Sequence, residues 1–296
     1  MPTTLQSGTQ ILYTISTDHI RIRDPFVVAD RASMQYYLFG TTDADPWNGV
    51  GIGFQVYRSR DLKLWSEPEY AFRPPEGFWG TKNFWAPEVH HYEGSWYLIA
   101  SFYAENRHRG VHIFRSGKIT GPYVPISGSP ATPEDWDCLD GTLYVEENTP
   151  WLVFSHEWTQ IQNGAICALP LAKDLSKATG APVTLFHAKD APWSVPDTGD
   201  VVVAKGENYV TDGPFLFHED GKLKMLWSSF AADGYAIGIA ESRTGKLTGL
   251  WTQQKAPAFD FGGHGMLFDA FDGTRYLVLH APNTSGQERL RFVRWN

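Results

Sequence analysis

The chain has 296 residues, 42% of them hydrophobic and 20% charged, which is apolar surface enough for a sizeable core in one large domain or two ordinary ones. Its formal charge of −8, with no run of lysine or arginine, argues against nucleic acid as a partner, and no apolar stretch approaches the ~20 residues of a membrane helix. Aromatic residues at 15%, with 28 glycines and 19 prolines, point to many short strands joined by tight turns.

The N-terminal MPTTLQSGTQ has neither the basic nor the apolar part of a secretion signal. Two cysteines, Cys138 and Cys167, do not make a disulfide framework, so both are expected to be buried and reduced. A cytoplasmic protein fits this, as does a secreted one whose signal has been removed. Residues 10–15 read as a strand, and then one unit recurs five times. In the first unit Asp24-Pro25 opens the run Phe26-Val27-Val28. A polar turn and the run 36–41 follow, and a third run, 53–57, leads into Ser59, Asp61, Leu62 and Trp65.

The second unit opens at Ala86-Pro87-Glu88, with further runs at 96–102 and 110–114. The third opens at Asp140-Gly141, with runs at 151–155 and 164–171. The fourth opens at Asp212-Gly213-Pro214, with a turn at 218–222 and runs at 223–230 and 234–240. The fifth opens at His264-Gly265, continues through 275–280 and ends with 290–295. Equivalent second-strand positions Tyr37, Tyr97, Leu152, Met225 and Leu277 lie 60, 55, 73 and 52 residues apart, and each unit has room for a fourth strand. Units of this kind are propeller blades. No long 3.6-residue periodicity appears, which argues against an α/β barrel. The expectation is an all-β, five-bladed β-propeller forming a single domain over residues 1–296. The fifth unit stops at its third strand and would leave an open edge. The N-terminal strand is therefore expected to join the last blade and close the ring.

First strands of propeller blades line the central channel, so the five openings ring one spot near the axis. Asp24, Asp140, Asp212 and His264 would meet there. A single Asp before Gly or Pro is most simply a turn residue. Three at one repeat phase are harder to explain structurally, because clustered carboxylates repel and raise one another's pKa. Such a cluster suits acid/base catalysis or metal binding.

The motifs Arg23-Asp24-Pro25, Phe84-Trp85-Ala86-Pro87-Glu88, Leu139-Asp140-Gly141 and Gly262-Gly263-His264-Gly265, in this order and at blade spacing, resemble glycoside hydrolase family 43 over essentially the whole chain. The resemblance implies an inverting glycosidase on arabinofuranosides or xylosides. Asp24 would be the general base that activates water, Asp140 the residue that tunes and orients the acid, and Asp212 the general acid. Base and acid would stand about 6.5–9.5 Å apart to admit the water. The resemblance also gives His264 a part in holding an ion, often calcium through waters, with no cofactor required for the chemistry. One departure stands out. The family's acid is a glutamate before Gly-Pro, whereas here it is Asp212, one methylene shorter. Glu157 and Glu88 are therefore rivals for the acid.

Trp85, His156, Trp158 and Arg289 are candidate substrate contacts beside Glu88 and Glu157, with Trp47 on the loop 43–49 and Trp193 in the long connection 188–200 as further ones. The leading expectation is an exo-acting α-L-arabinofuranosidase on an oligosaccharide or polysaccharide. A β-xylosidase, a galactofuranosidase, an endo-arabinanase of the same family and a non-catalytic carbohydrate-binding propeller are the alternatives. A related phosphorylase would need a cationic phosphate pocket, and the five ring positions carry no Arg or Lys.

Overall fold

The computed structural model describes residues 11–197 and 207–295. Five small antiparallel sheets follow one another around a ring. Blade one holds β1 (Tyr13–Ser16), β2 (Arg23–Asp30), β3 (Gln35–Thr41), β4 (Phe54–Ser59), β5 (Leu64–Ser66) and β6 (Glu69–Phe72). Blade two holds β7 (Lys82–Tyr92), β8 (Ser95–Ala104), β9 (Arg107–Ser116) and β10 (Val124–Pro125). Blade three holds β11 (Cys138–Glu146), β12 (Thr149–His156), β13 (Ala165–Pro170) and β14 (Val183–His187), with a single helical turn, α1 (Trp158–Ile161), after β12. Blade four holds β15 (Asp212–Glu219), β16 (Lys222–Ala231), β17 (Gly234–Ser242) and β18 (Trp251–Gln253). Blade five holds β19 (Gly263–Asp269), β20 (Arg275–Ala281) and β21 (Arg289–Arg294). The five-unit reading of the sequence is therefore the fold, an all-β five-bladed propeller. Cys138 and Cys167 are buried and unpaired. No helix among the described residues is long and apolar enough to cross a membrane.

The abundance of aromatics follows from packing between blades. Sheets that face one another on both sides must fill thick interfaces, and flat rings do so with two rotatable bonds each. Between blades one and two, Phe54 meets Phe102 at 5.7 Å between ring centroids, and Phe72 meets Phe114 at 4.5 Å. Trp193 packs on Trp227 at 4.9 Å between blades three and four. Trp193 is 7% exposed and its ring fills the space that a side chain at Gly238 would need, so it is a core residue and not a wall of the site.

The N-terminal strand corrects the expectation. β1 pairs with β5 on the outer edge of blade one, with Ile15 opposite Trp65, and blade five keeps three strands. The sequence phrase at 59–65 gives the physical reason. Ser59 Oγ and Asp61 Oδ1 take the backbone N–H groups of Leu62 and Leu64 at 2.9 Å each, folding a turn that presents Trp65. Trp65 Nε1 then donates to Thr17 Oγ1 at 3.0 Å, fixing the N-terminal segment here. The ring is closed by residues further on. The Leu290 N–H of β21 donates to the Ile20 carbonyl at 3.4 Å, Arg291 pairs with Asp18 at 2.9 Å, and Ile20 and Ile22 are buried at this seam.

Candidate active site

The inner two strands of every blade share one irregularity. The pairing jumps from Arg23–Thr41 to Phe26–Phe39, from Trp85–Ser101 to Glu88–Ile99, and from Leu139–Ser155 to Thr142–Val153. It jumps likewise from Asp212–Ser228 to Phe215–Leu226 and from Gly263–His280 to Met266–Val278. Each skipped pair is a bulge, which re-aims a side chain out of the pleat. The first skipped residue has a left-handed backbone every time: Asp24 (φ 51°), Ala86 (47°), Asp140 (55°), Gly213 (53°) and His264 (40°). Four non-glycine residues in this costly region at one repeat phase mark a site whose surroundings enforce it. The register also corrects the expected phase. The ring residue of blade four is Gly213, and Asp212 stands one position earlier, equivalent to Arg23, Trp85, Leu139 and Gly263. A Cβ on Gly213 would come within 2.7 Å of the His264 ring, so the imidazole occupies the space that a side chain there would fill.

A circuit of polar latches holds these residues. The Ala86 N–H donates to Thr41 Oγ1 at 2.9 Å, that of Asp140 to Ser101 Oγ at 2.8 Å, and that of His264 to Ser228 Oγ at 2.9 Å. The Asp24 N–H donates to His280 Nδ1 at 3.1 Å. Each acceptor lies on the second strand of the preceding blade, opposite the residue just before that blade's bulge, so the last latch returns to the first blade. In blade three the equivalent Ser155 hydroxyl bonds Thr211 instead, and the Gly213 N–H donates to Asp140 Oδ2 at 2.9 Å. His280 is fully buried and within 3.2 Å of Asn283 Oδ1 through Nε2, which leaves Nδ1 as the acceptor. Burial, together with the Arg23 charge, pushes its pKa down to about 3, so the latch is a neutral imidazole.

Three carboxylates gather around His264. Its Nδ1 lies 3.3 Å from Asp24 Oδ1 and 3.4 Å from Asp140 Oδ2. Asp24 Oδ2 also accepts from Thr41 Oγ1 at 2.7 Å, and Asp212 Oδ2 accepts from the Tyr235 hydroxyl at 2.8 Å. Burial pushes all three carboxyls toward the neutral form, and their neighbours then divide them. For Asp24, His264 and Arg23, with the Thr41 hydrogen bond, outweigh burial and hold its pKa below the ordinary value. Asp140 is raised well above it by burial and by the charge of Asp24, with Glu88 and Glu157 adding to the effect of both. Asp212 is pushed up to about 8 by burial and by Asp140, against the Tyr235 hydrogen bond. Within one small volume Asp24 is thus held toward the ionised form, and Asp140 and Asp212 toward the protonated form.

Of the other sequence candidates, Trp85 and Glu157 adjoin this cluster. Trp85 Nε1 donates to the Pro46 carbonyl at 2.6 Å, and its ring meets Trp47 edge-on at 5.0 Å. The Arg109 guanidinium lies 4.4 Å from the Trp85 ring and bonds Asn83 Oδ1 at 3.2 Å. The same guanidinium forms an ion pair with Glu157. A carboxylate engaged this way is poorly placed to hand a proton to substrate, although burial raises its pKa against the pull of Arg109. Glu88 is buried and bonds His90 Nε2 at 2.8 Å, so it reaches the cluster through its field alone.

The remaining candidates are not tied into the cluster. His156 stacks on Trp136 at 4.0 Å and bonds Gln160 at 2.7 Å. Trp158 opens α1 on the same loop. Arg289 turns back on the carbonyls of Glu288 and Gly286, at 2.8 and 3.4 Å. As for calcium, His264 Nδ1 is spent on two carboxylates, and no group of three His, Cys, Asp or Glu side chains among the described residues is arranged to hold an ion. The described residues do not form a direct ligand set. Sequence reasoning missed Tyr235, Arg109 and the latches. A signal existed for the latches, since Thr41, Ser101, Ser155 and Ser228 put a hydroxyl in or near the last positions of the second-strand run in four of five units.

The comparisons with known proteins agree with this architecture. The chain is 38% identical to an endo-arabinase from Bacteroides thetaiotaomicron of known structure, with a TM-score of 0.88 over 96% of this chain and 98% of that one. It is 25% identical over 267 residues to the extracellular endo-α-(1→5)-L-arabinanase 1 of Bacillus subtilis, covering 84% of this chain and 72% of the relative. An exo-1,5-α-L-arabinanase from a bovine ruminal metagenomic library shares the fold at 19% identity, with a TM-score of 0.67 over 96% of each chain. The model of glycosyl hydrolases family 43 matches residues 16–294, and the chain belongs to that family, as a glycoside hydrolase built on a five-bladed propeller.

Proposed function

We propose that the protein is an inverting endo-α-1,5-L-arabinanase in which Asp24 is the general base, Asp212 the general acid and Asp140 the residue that keeps that acid protonated. The observation that carries the division of roles is the opposite displacement of Asp24 and Asp212 within one cluster, the former below its ordinary pKa and the latter up to about 8. Two carboxyls pushed apart in this way supply a base and an acid at the same pH.

In the reaction Asp24 takes a proton from water as the water oxygen bonds to the anomeric carbon. The glycosidic C–O bond breaks on the opposite face, and Asp212 gives its proton to the leaving oxygen. Asp140 accepts the Gly213 N–H, and its negative charge disfavours ionisation of the neighbouring Asp212. Tyr235 aims the shorter aspartate arm. Trp47, 43% exposed, with Trp85 and Arg109 offers a flat apolar and cationic wall that suits furanose faces.

The internal mode of cleavage rests on the printed activities of the B. thetaiotaomicron structure and the B. subtilis relative. It replaces the exo-acting arabinofuranosidase as the preferred reading. A polymeric substrate also suits an extracellular place of action, which the name of the B. subtilis relative carries, better than the cytoplasm. Time courses on linear α-1,5-arabinan test this. The expected result is an early fall in viscosity with a ladder of arabino-oligosaccharides, and little action on aryl xyloside or galactofuranoside. Release of arabinose alone from the first time point would restore the exo reading.

A further inference from the structure

Outside the three-carboxylate cluster, Glu288 is fully buried, and the mechanism above does not use it. It lies just before β21, on the loop that follows β20. Its Oε1 accepts from Arg23 Nη1 at 2.9 Å, and its Oε2 lies 3.8 Å from Arg21 Nε with no hydrogen bond of its own. A buried carboxylate with an unsatisfied oxygen is a poor device for stability, since an apolar pair of similar volume would serve as well or better. What the carboxylate does is fix a guanidinium. Arg23 immediately precedes Asp24 and is clamped between Glu288 and the Trp47 ring, 5.0 Å from that ring's centroid. Its charge reaches Asp24, Tyr235 and His280. An unclamped arginine beside a carboxylate forms a fork-to-fork ion pair with it. Such a pair would cover the oxygens that must take a proton from water.

We propose that Glu288 is a positioning residue that holds Arg23 away from the Asp24 carboxylate, so that Asp24 keeps free oxygens for the nucleophilic water. The inference rests on the reading of Asp24 as the base. The other charged or titratable groups facing Asp24 are His264 from β19, His280 from β20, Asp140 from β11, Asp212 from β15 and Tyr235 from β17. None of them competes for Arg23 through a hydrogen bond or ion pair, so among the described residues Glu288 alone holds the guanidinium in this way. Asn283, on the same loop, bonds His280, whose Nδ1 takes the Asp24 amide. This loop therefore supports both the backbone and the charge environment of the base.

The test uses the full chain on linear arabinan, with a melting curve for each variant. Glu288→Gln is expected to lower kcat about tenfold or more with KM little changed, because Arg23 swings onto Asp24. Arg23→Met in the Glu288→Gln background is expected to recover most of that loss, which a merely structural role for Glu288 would not produce. Glu288→Asp keeps the charge but withdraws it by one carbon and is expected to fall between wild type and Glu288→Gln. Unchanged kcat in Glu288→Asp and Glu288→Gln, or a double variant no better than Glu288→Gln, overturns the proposal. If Glu288→Gln does not fold, Glu288→Asp alone decides, with wild-type kcat as the overturning result. Asp24→Asn is measured alongside. If it keeps appreciable activity, the base assignment fails; if it is inactive while the Glu288 variants behave as wild type, only this inference fails.

Discussion

Asp212 carries its proton because of where it sits, and that placement has an energetic cost. Its folded-state pKa of about 8 stands above the ordinary 3.8, through burial first and Asp140 second. The folded carboxyl holds its proton more tightly than the unfolded one, so rising pH works against the fold between those two values. Asp212→Asn should therefore raise the melting temperature at pH 9, with the gain shrinking as pH falls toward 4; an equal gain at both pH values would contradict the cause given. The same carboxyl should set the alkaline limb of kcat/KM near pH 8. The Tyr235 hydrogen bond favours ionised Asp212, so Tyr235→Phe should move that limb to higher pH. A limb that stays in place or moves down would show that Tyr235 does not act through Asp212. The identity of Asp212 was legible in the sequence, whereas its partner Tyr235 was not. Tyr235 arrives from β17 across a pair of strands, and no local pattern marks it.

At the scale of single elements, the bulge that opens each blade decides what points at the axis. Its backbone is strained, and in blades two, three and five a hydroxyl on the preceding blade's second strand holds it. Ser101→Ala would leave the buried Asp140 N–H without a partner and should cost roughly 1–3 kcal/mol in denaturant titration. A loss within error would mean that the latch is dispensable. The repeat phase of the blades could be read from the dipeptides Asp-Pro, Ala-Pro, Asp-Gly and His-Gly. The fourth unit misled because both Asp212-Gly213 and Gly213-Pro214 match that pattern, and only strand register separates them. The register places Gly213 in the ring and Asp212 one step before it. Asp212 thus differs from Asp24 and Asp140 in backbone position.

For the molecule as a whole, five strand-turn-strand units and their order could be read directly, because each blade repeats its apolar runs at similar spacing. Closure could not. An N-terminal strand can satisfy either of two exposed edges equally well in pattern, and the choice falls to the Trp65–Thr17 bond and the turn around Ser59. The seam between blades five and one is then made by residues 17–22 and by Arg23 with Glu288. Removing residues 1–16 should accordingly lower the melting temperature while leaving one cooperative transition. Ile22→Ala, which hollows the seam at a residue 1% exposed, should cost about 2–5 kcal/mol. Loss of cooperativity on truncation alone would return the closing role to β1.

These scales meet in the claim that Asp212 protonates the leaving oxygen. Asp212→Asn should be assayed on linear arabinan and on an aryl arabinofuranoside whose phenolate leaves without help. A loss of about 10²–10⁴ on arabinan and a much smaller loss on the aryl glycoside are expected, with Glu157→Gln showing no such contrast. Near wild-type hydrolysis of arabinan by Asp212→Asn, or the leaving-group contrast appearing in Glu157→Gln instead, would contradict that claim.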